Sequence, residues 1–186
     1  MTKALILIDI QTGFDAPFWG ARNNPDAETK AARLLAHFRA QSLPIFHVKH
    51  LSTEAGSPLA GAGAQIKPIV APLPDEPVIA KSVNSAFIGT DLDARLRAKG
   101  VTDVIICGLT TPHCVSTTTR MAANLGYHVT LAHDACASFA INANTSWSQA
   151  PAMTPAQIHD TAVSHLHGEF ATAESVDDIL GTPIAP

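Results

Sequence analysis

The chain has 186 residues, is 46% hydrophobic and carries a net charge of −4, which is enough apolar sequence for one globular domain over residues 1–186. Its twelve Lys and Arg residues are scattered and no apolar run approaches the roughly 18–20 residues that cross a bilayer, so we expect neither a nucleic acid nor a membrane partner. Three cysteines without a CxxC pair disfavour both a disulfide framework and a redox dithiol, and we expect a reducing, cytoplasmic location.

Segments typical of strands and of helices alternate along the whole chain. Apolar, β-branched runs predict strands over residues 4–10, 43–50, 78–80, 101–107, 127–132 and 169–172. Helix-start signals between and after them predict helices that begin near Pro25, Thr90, Thr111, Thr154 and Ser175. This alternation indicates an α/β fold, a doubly wound three-layer sandwich with helices on both faces of a six-stranded parallel sheet.

Three segments lack clear periodicity. The first, residues 11–25, contains Phe14 and Trp19, which predict either the wall of a pocket or a satellite cluster of the core. The second, residues 51–77, is rich in Gly, Pro and Ala, and the third, residues 133–151, contains Phe139 and Trp147. Loops of this length in a compact domain are usually functional or form a mobile arm.

One cysteine follows the fourth predicted strand in a position suited to chemistry. Thr111 and Pro112 form a helix-start signal, with a hydroxyl N-cap and proline at the first helical position, so Cys114 becomes the third residue of the helix. Unpaired amide N–H groups and the positive end of the helix dipole lower the pKa of a thiol there. The reading therefore favours a nucleophilic thiolate, although a free cysteine is more often a small buried hydrophobe.

Two further ionisable residues are predicted at carboxyl ends of strands. Asp9 follows the first strand and Lys81 follows the third. In an open α/β sheet these ends lie along one edge, where Asp9 and Lys81 can meet Cys114. Asp9 would take the thiol proton and Lys81 would stabilise both anions. Taken singly, Asp9 could instead cap a turn and Lys81 could be solvated.

These residues lie in three motifs: Asp9-Ile10-Gln11 with Gly13 and Phe14; Lys81 with Ser85-Ala86-Phe87, Gly89, Thr90 and Leu92; and Gly108, Thr111, Cys114 and Val115. In this order the motifs resemble those of the isochorismatase-like cysteine hydrolases, and the resemblance runs over most of the chain, including residues 124–127 and 134–135. The family includes nicotinamidase, amidohydrolases of carbamoyl and ureido compounds, and the isochorismatases proper.

The resemblance implies the sheet order 3-2-1-4-5-6 and a role for each site residue. Cys114 would attack an amide carbonyl to form a thioester, Asp9 would pass the thiol proton to the leaving nitrogen, and Lys81 would hold both groups. A cis peptide bond between Leu109 and Thr110 would direct the Thr110 N–H toward the Cys114 N–H, and the two would form the oxyanion hole. The family also leads us to expect a homo-oligomer, whose neighbouring subunits could complete the chamber.

Two departures narrow the choice within the family. Isochorismatases that cleave a vinyl ether lack the cysteine, so Cys114 favours hydrolysis of a C–N bond. Nicotinamidases carry an Asp-x-His metal motif after the second strand, where this chain has His50 and Ser52. His47 and His50, three residues apart on a strand, point to opposite faces and are poor joint ligands. We therefore expect no metal and no cofactor.

The predicted substrate is a small amide, carbamoyl or ureido compound. Residues expected to line its chamber are Phe14, Trp19, Phe87, His113, Phe139 and Trp147, although His113 could equally face solvent. Cys107 and Cys136 are expected to be structural, and His159 to be a surface or interface residue. The alternatives are a non-catalytic small-molecule-binding or scaffold protein on the same fold, or an ether hydrolase of the isochorismatase type.

Overall fold

The computed structural model describes residues 2–181, and its centre is a six-stranded, all-parallel sheet. The strand order is β3-β2-β1-β4-β5-β6, so the predicted class, layer arrangement and order are confirmed. The strands, in chain order, are β1 Thr2–Ile8, β2 Ile45–His50, β3 Val78–Lys81, β4 Val101–Leu109, β5 His128–Ala137 and β6 Thr172–Glu174.

Within residues 2–181, five α-helices surround the sheet. They are α1 Ala27–Ala40, α2 Leu92–Ala98, α3 Ser116–Asn124, α4 Pro155–Ser164 and α5 Val176–Leu180. Helix α1 packs against α5 and against β1, β4 and β5, whereas α2 packs on β4 and α3 on β5. Among the described residues, no helix is long and apolar enough to span a membrane.

The two central strands, β1 and β4, lie at the centre of the core, and their carboxyl ends define the edge of the sheet at which the candidate site lies. Residues 4–8 of β1 are all buried, as expected for a strand covered by helices on both faces. At its end, Ile8 lies opposite Val48 of β2 and Gly108 of β4. The chain leaves the sheet in opposite directions on the two sides of this point, and such a switch point opens a crevice at the carboxyl ends of the strands.

Several element boundaries differ from the sequence prediction by a few residues. Strand β5 continues to Ala137 rather than ending at residue 132, because its register with β4 shifts between Ile106 and Gly108 and pairing then resumes. Strand β6 begins at Thr172, after a turn in which Phe170 N donates to Leu166 O. A π-helical turn over Thr111–Val115, capped by Thr110, precedes α3, so the helix start lies one residue earlier than predicted.

The long 51–77 segment is packed against the first loop rather than forming a mobile arm. Thr12 N donates to Gln65 O, and Lys67 N donates to Ile10 O. Gly13 lies so close to this segment that an added Cβ would stand 2.2 Å from the Pro58 carbonyl oxygen. The segment is therefore held where it can form one wall of the crevice.

Gly108 tests how tightly β4 must approach β1 at the switch point. Its φ is +125°, and a Cβ there would lie 2.0 Å from the Ile8 carbonyl oxygen. We expect Gly108→Ala to lower the free energy of unfolding by about 1–3 kcal/mol more than the control Gly126→Ala, as is typical of overpacking. Gly126 also has a positive φ (+94°) but open space around it. Equal losses in the two variants, measured by urea denaturation, would contradict this packing account.

Candidate active site

The three residues predicted to be catalytic meet at the carboxyl edge of the sheet. Asp9 follows β1 with a left-handed backbone (φ +51°), Lys81 ends β3, and Cys114 lies in the π-helical turn after β4. Lys81 Nζ donates to Asp9 Oδ2 at 2.6 Å and to Cys114 Sγ at 3.2 Å. One ammonium thus bridges a carboxylate and a thiol that are 105 residues apart in the sequence.

The Lys81–Asp9 ion pair is completely buried, since both side chains have 0% exposure. A third Lys81 contact, to His50 Nδ1 at 3.1 Å, gives each of the three ammonium protons an acceptor. Asp9 Oδ1, by contrast, is buried without a hydrogen-bond partner among the described residues. A carboxylate oxygen of Asp9 lies within 4.8 Å of the Cys114 sulfur, so the Asp9 carboxylate is close enough to accept a proton from the thiol after a small movement.

The electrostatics of the site correct one expectation from the sequence. Burial and the adjacent Asp9 carboxylate raise the pKa of the Cys114 thiol to about 12, instead of lowering it as a helix start alone would. Burial also raises the pKa of Asp9, and the Lys81 ammonium offsets only part of that effect. The resting site therefore holds a protonated thiol next to a carboxylate of increased basicity.

Cys114 faces a cavity of about 410 Å³, a size suited to a small molecule. Of the predicted chamber residues, Phe14, Trp19 and His113 line it, as do both residues of the predicted oxyanion hole, Thr110 and Cys114. The peptide bond between Leu109 and Thr110 is cis. The remaining lining residues are His50, Ser52, Thr53, Glu54, Ser57, Leu59, Ser82 and Asn84.

The other three predicted chamber residues do not line this cavity. Phe87 lies in the main core, where its ring stacks 6.2 Å from that of Tyr127. Phe139 is 2% exposed and stacks behind Phe14 at 5.7 Å, so it supports the wall from within a satellite cluster. Trp147 is 85% exposed and lies outside the cavity lining. Aromatic character alone does not tell a pocket wall from the layer behind it.

The structural positions of two histidines were missed by sequence reasoning. His50 lines the cavity and contacts Lys81. The sequence does mark this position, because His50 occupies the first place of the nicotinamidase metal motif, but that motif indicates only a metal ligand. His159, expected at the surface, is 4% exposed, and its Nδ1 lies 2.9 Å from the Thr111 hydroxyl at the start of the π-helical turn. No residue spacing in the sequence indicates that α4 packs onto this turn.

The donor set does not favour a metal ion at this cluster. Asp9, His50 and Cys114 are metal-ligating types whose donor atoms lie within 4.8 Å of one another. The Lys81 ammonium, however, already donates a hydrogen bond to all three side chains. A cation at their centre would lie against this positive charge. His47 is separate from the cluster, because its ring contacts Glu76 at 2.9 Å.

Comparison with known proteins identifies the family of this chain. The isochorismatase domain profile matches residues 3–178. The chain belongs to the isochorismatase family. It is a hydrolase of that family. It is 41% identical to the isochorismatase family protein YrdC of Bacillus subtilis, over 96% of this chain and 94% of that protein.

This chain is also similar to a named hydrolase and to a protein of known crystal structure. Streptothricin hydrolase of Streptomyces noursei is 31% identical over 99% of this chain and 67% of that protein. The crystal structure of an isochorismatase-family protein from Chromobacterium violaceum superposes with a TM-score of 0.90 at 41% identity, covering 97% of this chain and 93% of that one. The fold and the family are thereby established over nearly the whole chain.

Removing Lys81 tests how strongly the buried pair stabilises the protein. We expect Lys81→Met to lower the free energy of unfolding by about 3–5 kcal/mol, because the Asp9 carboxylate is left buried and unpaired. Lys99→Met, at an exposed lysine, should change it by less than about 0.5 kcal/mol. Adding Asp9→Asn to Lys81→Met should recover part of the loss in urea denaturation. No recovery would mean that the charge of Asp9 is not what destabilises the single variant.

Proposed function

We propose that this isochorismatase-family hydrolase cleaves a C–N bond of a small amide, carbamoyl or ureido compound through a thioester on Cys114. One observation carries the proposal: a single lysine ammonium contacts both Asp9 and the Cys114 sulfur beside a small cavity, while Asp9 Oδ1 has no hydrogen-bond partner among the described residues. A thiol next to a carboxylate that can take its proton is an arrangement that activates cysteine for acyl transfer.

In the first half-reaction, Cys114 Sγ attacks the substrate carbonyl carbon. As the S–C bond forms, the thiol proton moves to Asp9 Oδ1 and negative charge develops on the carbonyl oxygen. The backbone N–H groups of Thr110 and Cys114, both at the cavity wall, are the proposed donors to that oxygen. Collapse of the intermediate breaks the C–N bond, and Asp9 gives the proton to the leaving nitrogen. The product is a thioester and a free amine or ammonia.

In the second half-reaction, water attacks the thioester carbonyl. Asp9, again a carboxylate, accepts a proton from this water, and the C–S bond breaks to release the acid or carbamate. The proton returns to Cys114 as the thiol is regenerated. Lys81 keeps its contacts with Asp9 and Cys114 throughout, so it stabilises each anionic stage without itself transferring a proton.

The alternative functions fit the site less well. A non-catalytic binding protein has no need for a buried ion pair against a thiol, and such a pair is costly to desolvate. An ether hydrolase of the isochorismatase type does not need the cysteine nucleophile. Hydrolysis of a C–N bond, by contrast, uses Asp9, Lys81 and Cys114 together.

The nucleophile can be tested with a panel of small amides, carbamoyl compounds and ureides, followed by ammonia or amine release. We expect Cys114→Ala to lower kcat/KM for any active substrate by at least about a thousandfold, since removal of a covalent nucleophile disables the whole catalytic unit. Cys136→Ser changes a fully buried cysteine away from the cavity and should keep most of the activity. Comparable losses in both variants would overturn the assignment of Cys114.

The pH profile tests the protonation states. Asp9 must be ionised to accept the thiol proton, so kcat/KM should fall as the pH drops through a pKa above the usual 3.8 of an aspartate. Because the pKa of Cys114 is raised to about 12, no increase in rate should follow a thiol titration near its usual value of about 8.5. A rate that rises several-fold across that range would show that a preformed thiolate is the reacting species.

A further inference from the structure

His50 is a polar residue of the cavity wall, and its ring atom Nε2 has no role in the mechanism described above. His50 ends β2 and lies opposite Lys81 in the register of β2 with β3. Its ring is half-buried and lines the cavity beside Cys114. Of its two ring nitrogens, only Nδ1 has a hydrogen-bond partner in the described structure.

The Lys81 contact fixes the tautomer of His50. A lysine ammonium has protons and no acceptor, so His50 Nδ1, 3.1 Å from Lys81 Nζ, must offer its lone pair. A neutral imidazole that accepts at Nδ1 carries its proton on Nε2. Burial and the nearby Lys81 charge lower the pKa of His50 below its usual value, which keeps the ring neutral at physiological pH. Nε2–H is therefore a hydrogen-bond donor.

A buried glutamine holds His50 in place. Gln11 Nε2 donates to the His50 carbonyl oxygen at 2.9 Å, and the His50 N–H donates to Gln11 Oε1 at 2.7 Å. Gln11 itself is 0% exposed, so its amide is fixed against the end of β2. This paired contact, together with Lys81, positions the ring at the cavity wall from both its backbone and its Nδ1 side.

We propose that His50 is a specificity residue whose Nε2–H donates a hydrogen bond to a second acceptor on the substrate, beside the carbonyl that Cys114 attacks. The inference rests on the proposed function and narrows its substrate class. The favoured compounds are small amides or ureido compounds that carry another carbonyl or similar acceptor next to the scissile bond. A substrate with only an alkyl group there would leave a polar N–H unpaired on binding, which costs affinity.

The tautomer can be read without any substrate. In two-bond ¹H–¹⁵N spectra of the whole protein, His50 should appear neutral at pH 7, with the proton on Nε2 and an unprotonated Nδ1. A ring protonated on Nδ1, or on both nitrogens at pH 7, would overturn the proposal. This result does not depend on whether Cys114 acts as a nucleophile.

The hydrogen bond to a carbonyl can be tested with two alkylating reagents of similar size. Bromoacetamide carries a carbonyl and allyl bromide does not, while both share a leaving group. His50→Asn retains an acceptor near the Nδ1 position for Lys81, whereas His50→Gln retains a donor near the Nε2 position. We expect the Asn variant to lower the bromoacetamide rate at Cys114 about fivefold relative to the allyl bromide rate, the typical worth of one neutral hydrogen bond, and the Gln variant to keep the wild-type ratio.

Each outcome of this experiment is decisive. An unchanged ratio in His50→Asn overturns the donor role, and a loss confined to His50→Gln assigns His50 to holding Lys81 alone. His128→Asn, at an exposed histidine on β5, is the control and should leave both rates unchanged. If Cys114 reacts with either reagent no faster than Cys107 and Cys136 do, the proposed function fails, whereas a reactive Cys114 with an unchanged ratio refutes only the role of His50.

Discussion

The ion pair between Lys81 and Asp9 joins β3 to β1 across the end of β2. Two strand spacings of about 4.8 Å separate these strands, a gap that a long, straight lysine side chain is suited to bridge. Lys81 also contacts His50, which ends β2, and the Cys114 sulfur. The relative positions of the ends of β1, β2 and β3 and of the turn that holds Cys114 therefore depend on the buried Lys81 ammonium.

Burial and the charges of Asp9 and Lys81 together determine the protonation state of the Cys114 thiol. A solvent-exposed helix start would favour a thiolate at rest, whereas here burial and the Asp9 carboxylate keep the thiol protonated. The same burial makes Asp9 more basic. In the proposed mechanism, Cys114 and Asp9 are thus matched to transfer a proton during attack on the substrate. Lys81 would then stabilise whichever of the two side chains is anionic.

The sequence predicted the fold and the meeting of Asp9, Lys81 and Cys114 because both depend on local patterns. Apolar runs mark the strands, and in a doubly wound sheet the carboxyl ends of these strands lie along one edge. Because Asp9, Lys81 and Cys114 each follow or end a predicted strand, the sequence indicates that they meet there. The π-helical turn before α3 was not predicted, since a threonine–proline pair is equally compatible with an ordinary helix start. The thiol pKa was missed for a similar reason, because it depends on burial by distant segments.

The cavity wall could be predicted only in part, because it is built by tertiary packing rather than by local pattern. Phe14 and Phe139 lie in one stacked cluster, yet only Phe14 reaches the cavity. His50 and Gln11 are 39 residues apart in sequence and meet through a paired amide contact that no spacing indicates. The placement of residues at the carboxyl edge of the sheet is thus predictable from the sequence, whereas the contacts that they make there through tertiary packing are not.

The central claim is that Asp9 removes the proton from a thiol that is protonated at rest. The most direct test is the rate at which iodoacetamide alkylates Cys114 near neutral pH in the wild type and in Asp9→Asn, with the modified residue located by mass spectrometry. If Asp9 is the base, the variant reacts more slowly, because the thiol loses its proton acceptor. If Asp9 acts only as a neighbouring negative charge, removing that charge lowers the pKa of the thiol and the variant reacts faster, which would contradict the account.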